Sequence, residues 1–314
     1  MTNAAPAVPH DLFRHEALFY RGLSDFLAQT VAFVREGVDA AEAVLVAVAA
    51  HKIEAMRAAL GAEASSVTFV DMSQLGVNPA RIIPAWVDFL DEVPAGQGAR
   101  GIGEPITADR PPLEIDECLL HERLLNVAFE DGRPWRLACP YDLDALAPSV
   151  VDGARDAHPS VIEAGTVARS ARYVPSEAVG LDVPLPDPPV DAAQLLFNAT
   201  MLVGVREVVQ DAAGAAGLGL AKSADLVLAA SEAATNSVRH AGSEGVLRIW
   251  IDDRGLNCEI SDAGRIDERL VGRIRPDLDA EGGRGLWLIN QLCDFVQVRS
   301  SGAGTTVRMQ MRLS

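Results

Sequence analysis

Positive charge is scarce in this sequence. Its 314 residues include 27 Lys and Arg against 44 Asp and Glu, which gives a formal net charge of −17 at pH 7. Proteins that bind DNA, RNA or anionic membranes concentrate Lys and Arg on one surface. The charge balance therefore argues against direct binding to any of the three.

Cysteines and long apolar runs are also few. The four cysteines show no CxxC or zinc-finger spacing; they are Cys118, Cys139, Cys258 and Cys293. We therefore expect buried free thiols, a reducing cytoplasm and no zinc site. The first residues lack the basic start and apolar run of a signal peptide, and no window reaches the ~18 consecutive apolar residues that a membrane span needs. These absences predict a soluble cytoplasmic protein.

The first half of the chain alternates between apolar runs and stretches with helical periodicity. A helix is predicted over residues 12–36, with Gly37 as its stop signal, because large apolar residues recur at helical spacing. The apolar runs AVLVAVA (43–49) and VTFVDM (67–72) are typical of strands buried in parallel sheets. RGIGEPI and ACPYD are predicted to supply further strands. Strands that alternate with helices predict an open, mainly parallel α/β sheet.

No phosphate-binding loop follows the first apolar run. The chain reads Ala49-Ala50-His51-Lys52-Ile53 there, without GxxxxGK[ST] or GxGxxG, which argues against nucleotide hydrolysis in this half. Taken in order, several stretches resemble the MEDS sensory domain, a RecA-like module without a working P-loop: FRHEALFY, VTFVDM, NPARIIPAWVDFLDE, RGIGEPI and ACPYD. The resemblance covers residues 10–160 and implies a sensory role.

Polar residues at the expected carboxyl ends of the strands form a candidate sensory pocket, since ligands of open α/β sheets collect there. They are His51, Asp71, Arg100, Glu104, Tyr141 and Asp142. The alternative is that these residues are polar caps and turn residues. We expect His15 and His121, each followed by Glu, to be core or helix-face histidines rather than ligands.

A run of prolines marks the predicted domain boundary. VPLPDPPV carries Pro184, Pro186, Pro188 and Pro189, a composition that favours an extended, semi-rigid spacer. We therefore predict a sensory domain at 1–163, a Pro-rich linker at 164–190 and a second domain at 191–314.

One long helix is predicted at 221–241, AKSADLVLAASEAATNSVRHA. Its apolar residues fall on one side, and Glu232 and Asn236, four positions apart, project from one face. A carboxylate that can take a proton, beside an amide oxygen that can hold a hard cation, suits phosphoryl transfer from Mg-ATP. For the pair alone, the alternative is a surface Glu–Asn pair on an ordinary core helix.

Three further motifs follow this helix. They are Asp262-Ala263-Gly264 at the end of a predicted strand, Gly282-Gly283-Arg284-Gly285 before a helix, and Gly302-Ala303-Gly304-Thr305-Thr306 before the last strand. Glycines that open a helix let its N–H groups close on phosphates. In this order the four motifs resemble the GHKL ATPases, and their details are similar to the RsbW-like anti-sigma-factor serine kinases. The resemblance covers residues 190–314 and implies an α/β sandwich with a helix layer on a mixed sheet.

The resemblance implies a role for each matching residue. Glu232 would be the base that deprotonates an acceptor serine, Asn236 would hold Mg²⁺ on the phosphates of ATP, and Asp262 would bind the adenine amine. The remaining motif residues would surround the adenine and the phosphates: Gly264, Gly283, Gly285, Leu286, Thr305 and Thr306.

Two single positions bear on activity and partners. Some of these kinases carry an arginine just before the lid glycines, and this sequence has Glu281 there. Unless Arg284 or Arg273 takes that role, phosphoryl transfer is slow or absent while ATP binding persists. Arg206 lies where these kinases place an arginine that contacts partner proteins.

The resemblance implies a switch protein. It would sequester a sigma factor, phosphorylate a serine of a STAS-domain anti-anti-sigma protein, and form homodimers through the second domain. An ATP-binding regulator without transferase activity is one alternative. The other is a sensor histidine kinase with His121 as phospho-acceptor, which Pro134 and Pro140 disfavour because prolines break the paired helices that such an acceptor needs.

Overall fold

The computed structural model describes residues 13–241, 244–276 and 283–313. It contains two compact units. The first comprises Met1–Gly76 with Ala85–Ala178, and the second comprises Val77–Pro84 with Val179–Ser314.

A seven-stranded sheet forms the centre of the first unit. Its strands are β1 (Arg14–Tyr20), β2 (Ala43–Val48), β3 (Val67–Asp71), β4 (Ala99–Gly103), β5 (Arg136–Asp142), β6 (Ser160–Glu163) and β7 (Thr166–Arg169). They follow the order β3-β2-β4-β5-β1-β6-β7, and every pairing is parallel except the last, β6 with β7. The prediction of a mainly parallel α/β sheet is confirmed.

Helices connect these strands. They are α1 (Gly22–Asp39), α2 (Ala50–Leu60), α3 (Met72–Leu75), α4 (Ile82–Glu92), α5 (Pro112–Phe129) and α6 (Pro148–Ala157), with 3₁₀ turns at Gly61–Ser66 and Ser176–Ala178. A further 3₁₀ turn, Pro79–Arg81, lies in the segment that belongs to the second unit. Apolar side chains from β1, β2, α1 and α2 share one core; they include Leu18, Phe26, Val46 and Met56, each 1% exposed or less.

The helix predicted over residues 12–36 is wrong at its start. Arg14–Tyr20 is a strand that pairs with β5 on one side and β6 on the other, and a short apolar run like this one fits either a buried strand or a helix. Gly37 does not stop α1 but lies inside it. A Cβ there would lie 2.6 Å from Cδ of Arg100, so the glycine makes room for a neighbouring side chain.

A five-stranded sheet forms the second unit. Its strands are β8 (Ala193–Phe197), β9 (Gly245–Asp252), β10 (Gly255–Asp262), β11 (Phe295–Ser301) and β12 (Gly304–Met311), in the order β11-β12-β10-β9-β8. All four pairings are antiparallel, which corrects the predicted mixed sheet. β8 is an edge strand, and β11 with β12 is a hairpin.

Three helices belong to this unit: α7 (Leu202–Ala215), α8 (Leu220–Asn236) and α9 (Arg284–Leu292). The predicted apolar side of α8 is buried, with Leu226 and four alanines at 3% exposure or less, and it contacts α9, β10 and β12. The helix ends in a π-helical turn at Ser237–Ala241.

The stretch predicted as a Pro-rich linker, 164–190, contains structure. It begins with β7 and includes the 3₁₀ turn at Ser176–Ala178. Its prolines lie along the second sheet, because Arg308 donates a hydrogen bond to the Pro186 carbonyl (2.7 Å) and the Ser300 N–H donates to the Leu181 carbonyl (2.8 Å). Within the described ranges, no helix combines the length and the apolar character that crossing a bilayer requires.

Candidate functional site

Asp262 stands at the end of β10, where two hydrogen bonds fix its carboxylate. Oδ1 accepts from the Gly264 N–H (2.7 Å), and Oδ2 accepts from the Ser237 hydroxyl at the end of α8 (2.5 Å). Each carboxylate oxygen can accept more than one hydrogen bond. The carboxylate is therefore held in place and can still receive a donor from a ligand.

The neighbouring strand brings Thr305 to the same place, since Asp262 and Thr305 are paired across β10 and β12. The Thr305 hydroxyl donates to the Gly264 carbonyl (2.9 Å) and lies 2.9 Å from the Ser300 hydroxyl. This close approach depends on Gly304, whose φ is +129° and whose Cβ, if present, would lie 2.2 Å from the Asp262 carbonyl oxygen. A small polar wall results at the ends of the two strands.

Asn236 and the start of α9 form the opposite end of the site. Gly283 precedes α9 in the left-handed conformation, with φ +74°. A Cβ on Gly285 would lie 2.6 Å from Nδ2 of Asn236, so the missing side chain lets the amide reach the first turn of the helix. The free N–H groups of a first helical turn attract anions. The structure thus places the Asn236 amide beside a helix end whose N–H groups can attract an anion.

A cavity of about 330 Å³ joins these two ends. Its size falls within the range of small-molecule sites, ~300–1,000 Å³. The lining residues are Ala233, Asn236, Ser237, His240, Asp262, Gly264, Arg265, Ile266, Asp267, Glu268, Val271, Gly283, Gly285, Leu286, Thr305 and Val307. Apolar side chains can therefore enclose a flat ring, with polar groups at both ends.

Most residues predicted for nucleotide binding line this cavity: Asn236, Asp262, Gly264, Gly283, Gly285, Leu286 and Thr305. Thr306 lines only a different and larger cavity, of about 680 Å³, that runs along the Pro-rich segment and to which Asp262 and Thr305 also contribute. The larger cavity contains neither Asn236 nor the α9 glycines, so we place the site in the smaller one.

The residues predicted to act in catalysis lie outside this lining. Glu232 is half-buried one turn before Asn236 in α8, and Arg284 is exposed at the first position of α9. Arg273 is buried, and Glu281 falls outside the described residues. Arg206 is exposed on α7. The catalytic and partner roles of these residues remain predictions.

The sequence analysis missed several lining residues. Ser237 is the residue after Asn236, and His240 is four positions after it. Both line the cavity because α8 continues as a π-helical turn at Ser237–Ala241. Ile266, Glu268 and Val271 come from the segment after Asp262. Hydrogen bonds that only the fold supplies hold that segment, such as the bond from the Ile266 N–H to the Ser300 hydroxyl (2.8 Å).

The residues of the predicted sensory pocket make contacts with different partners in the first unit. Glu104 is buried and accepts hydrogen bonds from the Tyr20 hydroxyl (2.7 Å) and from Nζ of Lys52 (2.6 Å). Burial raises the pKa of Glu104, and Lys52 opposes that shift. Burial and the neighbouring Glu104 raise the pKa of Tyr20. These contacts form a compact polar cluster at the end of β4.

The other members of that set are apart from this cluster. Asp71 and Asp142 accept hydrogen bonds from the backbone N–H two residues later (2.9 and 3.0 Å), which is a capping role. His51 is exposed on α2, and Arg100 is paired with Glu42. Tyr141 is buried with its ring against His158. The alternative of caps and turn residues thus describes Asp71 and Asp142.

Two families of known domains match the chain, one in each half. Residues 14–159 match the model of the MEDS domain, described as the methanogen/methylotroph DcmR sensory domain. Residues 197–311 match the model of the histidine kinase-like ATPase domain. The chain carries a MEDS domain followed by a histidine kinase-like ATPase domain. The resemblances to the MEDS domain and to the GHKL ATPases are confirmed, whereas the similarity to the anti-sigma-factor serine kinases stays a prediction. The cavity described above lies in the ATPase domain. No curated protein matches the chain.

Proposed function

We propose that the ATPase domain binds Mg-ATP in the 330 Å³ cavity and transfers the γ-phosphoryl group to a serine of a STAS-domain partner, as part of a switch that sequesters a sigma factor. The two matched domains support a less specific function, that of an ATP-binding regulator. The observation that carries the proposal is the convergence of Asn236, Asp262, Gly285 and Thr305, from four elements, on one cavity.

The chemistry of the lining suits a magnesium-bound nucleotide. Mg²⁺ in such sites takes one or two protein oxygens and completes its shell with phosphates and water, and the amide oxygen of Asn236 is a donor of that kind. The bound cation would neutralise phosphate charge during transfer. Asp262 would accept a hydrogen bond from the adenine amine, and the N–H groups that open α9 would bind phosphate oxygens.

Glu232 would act as the general base toward the acceptor serine. It lies on α8 one turn before Asn236, so a serine that approaches the phosphates from that side comes within its reach. Glu232 is half-buried and lies outside the cavity lining. It would therefore act on a partner's serine rather than contact the nucleotide. In-line transfer depends on positioning and charge neutralisation, which the partner would complete.

The exposed side of α7 is the surface that we assign to the sigma factor. Arg206 is exposed, and Val203, three positions earlier on the same face, is 57% exposed. An apolar side chain beside a cation is a combination typical of protein interfaces. Arg206→Glu should weaken sigma-factor binding in a pull-down assay without changing the affinity for ATP.

A homodimer through the ATPase domain is a further part of the proposal. β8 lies at the edge of the sheet, and Leu196 on this strand is 56% exposed. Edge strands offer unpaired backbone groups to another chain. Light scattering should give a dimer mass for the full chain and a monomer mass for Leu196→Asp.

Calorimetry tests the nucleotide site directly. We expect ATP to bind in the presence of Mg²⁺, and Asn236→Ala to weaken binding by about 10- to 100-fold through the loss of one charge-assisted contact. Thr235→Ala is the matched control, because Thr235 is exposed on the same helix. Absence of binding heat in the wild-type protein would refute the proposed site.

Labelled ATP distinguishes transferase from binding protein. Label on a STAS-domain serine that is lost in Glu232→Ala supports the kinase. ATP binding without label supports the alternative of a regulator without transferase activity, which Glu281 in place of an arginine favours. Label on His121 would indicate a histidine kinase, although His121 is 1% exposed inside α5.

A further inference from the structure

Four potential metal ligands meet inside the MEDS domain. His15 comes from β1, Glu122 from α5, Cys139 from β5, and His158 from the residue after α6; their ligand atoms all lie within 4.8 Å of one another, and all four residues are buried. Oε2 of Glu122 is 3.1 Å from Nε2 of His15 and 3.4 Å from Nε2 of His158. Sγ of Cys139 is 3.4 Å from Nε2 of His15.

Neighbouring groups fix both imidazole rings. Nδ1 of His158 lies 2.7 Å from the Ala154 carbonyl, so this nitrogen carries the proton and donates. Nδ1 of His15 lies 3.1 Å from Oδ1 of Asn126, whose Nδ2 donates to the Ala157 carbonyl (2.8 Å). With both protons on Nδ1, the Nε2 lone pairs of the two rings face the centre of the cluster. Metal-binding histidines are oriented in this way by their outer neighbours.

Lone pairs of several side chains therefore point toward the centre of the cluster. Two Nε2 lone pairs, a carboxylate oxygen and a sulfur approach one another, and a cation between them would relieve their repulsion. Two buried atoms also lack a hydrogen-bond partner, Oε1 of Glu122 and Nε2 of His158. Buried polar atoms without a partner are costly, so this arrangement needs an explanation.

We propose that His15, Glu122, Cys139 and His158 bind one Zn²⁺ ion in a closed structural site of the MEDS domain. Ligand atoms placed tetrahedrally about 2.1 Å from Zn²⁺ lie about 3.4 Å apart. Three of the six ligand separations, at 3.1, 3.4 and 3.4 Å, are close to that spacing, and all six are within 4.8 Å. A thiolate with two imidazoles and one carboxylate favours zinc over magnesium or calcium. Four protein ligands with no exposed position are typical of structural zinc.

Binding would change the charge of the cluster in a defined way. Cys139 loses its thiol proton to solvent when its sulfur bonds to the metal, and Glu122 binds as the carboxylate. Two neutral imidazoles complete the shell, so the dication and the two anionic ligands cancel. A neutral, enclosed site of this kind suits a fully buried position.

The cysteine spacing predicts no zinc site, and His15 is predicted to be a core or helix-face histidine. The four ligands are 15, 122, 139 and 158 in the chain, and no short spacing motif connects them. Parallel pairing of β1 with β5 and the packing of α5 bring them together, which is information that the tertiary structure alone supplies.

The test is metal analysis of the full chain. After saturation with Zn²⁺ and exhaustive dialysis, elemental mass spectrometry should find about one zinc ion per wild-type chain, as a closed four-ligand site implies. Cys139→Ser and His158→Ala should lose it. Cys118→Ser is the matched control, because Cys118 is another buried thiol that lies outside the cluster, and it should keep the metal.

Cobalt substitution gives a readout that does not depend on the variants folding. Co²⁺ in the wild-type protein should show tetrahedral d–d bands and a thiolate-to-metal charge-transfer band. Asn126→Ala, which removes the partner of the His15 ring, should weaken metal binding by about 10- to 100-fold while the charge-transfer band persists at saturating Co²⁺. Wild-type protein without stoichiometric metal, equal metal in Cys139→Ser, or a cobalt spectrum without the thiolate band would each overturn the proposal and leave a proton-sharing cluster.

Discussion

Two helices of this protein carry the same pair of residues at the same spacing and use them differently. Glu122 and Asn126 on α5 are both buried and both contact the ring of His15. Glu232 and Asn236 on α8 are half-buried, and Asn236 lines an open cavity. Spacing of four positions places a carboxylate and an amide on one helix face in either case. The elements packed against that face decide whether the pair is buried, as in α5, or borders an open cavity, as in α8.

The contrast has a physical origin in the residues around each pair. α8 surrounds Asn236 with small residues, and Gly285 in the facing helix leaves space for the amide. α5 packs against β1, β5 and α6, whose polar side chains fill the space around Glu122 and Asn126. Missing side chains leave an open cavity beside Asn236 in the ATPase domain, whereas converging side chains fill the space beside Glu122 in the MEDS domain.

Removing each glutamate gives the largest expected difference between the two helices. Glu122→Ala should lower the free energy of unfolding of the MEDS domain by about 2–5 kcal/mol, because it leaves a cavity at a fully buried position and removes the carboxylate that faces both imidazole rings. Glu232→Ala should change stability by only about 0.5 kcal/mol, because this side chain is half-buried on α8 and lies outside the core. Chemical denaturation monitored by tryptophan fluorescence measures both values. Equal effects of the two changes would break the comparison.

Nucleotide binding should protect one domain and not the other. All four cysteines are buried, and burial raises the pKa of Cys118 and of Cys258 to about 12, so alkylation at neutral pH reports opening of the fold. Mg-ATP at 100 times its dissociation constant should stabilise the ATPase domain by about 2.7 kcal/mol. Cys258 and Cys293 should then label about 100-fold more slowly.

The MEDS-domain thiols provide the internal control for that measurement. Cys118 and Cys139 should label at unchanged rates when Mg-ATP is added, because the nucleotide cavity lies in the other domain. Peptide mass spectrometry of one sample reports all four sites. Protection of Cys118 by ATP would show that the domains open together.

Filling the space beside Asn236 should impair binding without unfolding the protein. In Gly285→Ala the new Cβ would lie 2.6 Å from Nδ2 of Asn236, and the amide must move because it is the flexible partner. We expect ATP affinity to fall by about 1–2 kcal/mol, near tenfold, while the melting temperature stays the same or rises. In Gly302→Ala the Cβ meets open space. Calorimetry should find no change for this variant.

Two adjacent threonines provide the smallest test. Thr305 donates to the Gly264 carbonyl, whereas Thr306 lines the other cavity. Thr305→Val should therefore reduce ATP binding by about 0.5–1.5 kcal/mol, the net value of a hydrogen bond. Thr306→Val should leave ATP binding unchanged, and a larger effect at Thr306 would place the adenine on the opposite side of β12.

The sequence predicted the structure best where a whole sequence pattern lies within one helix, strand or turn. The apolar side of α8, the Val-rich strand β2 and the glycines before α9 follow from local periodicity and backbone freedom, and the structure has each of them. Helical periodicity misled the analysis at Arg14–Tyr20, because strand pairing with β5 and β6 outweighs local preference in a central strand. The role of Gly37 was missed for a similar reason, since Arg100 comes from a distant strand.

The sequence by itself determined two domains, their fold classes and a cluster of nucleotide-binding motifs, because these depend on periodicity, composition and short spacings along the chain. Tertiary structure alone decided that Thr305 faces the cavity with Asp262 and Gly264. It also decided that His15, Glu122, Cys139 and His158 meet at one buried point. Such contacts join residues far apart in the chain, and their distances are fixed by strand register and helix packing.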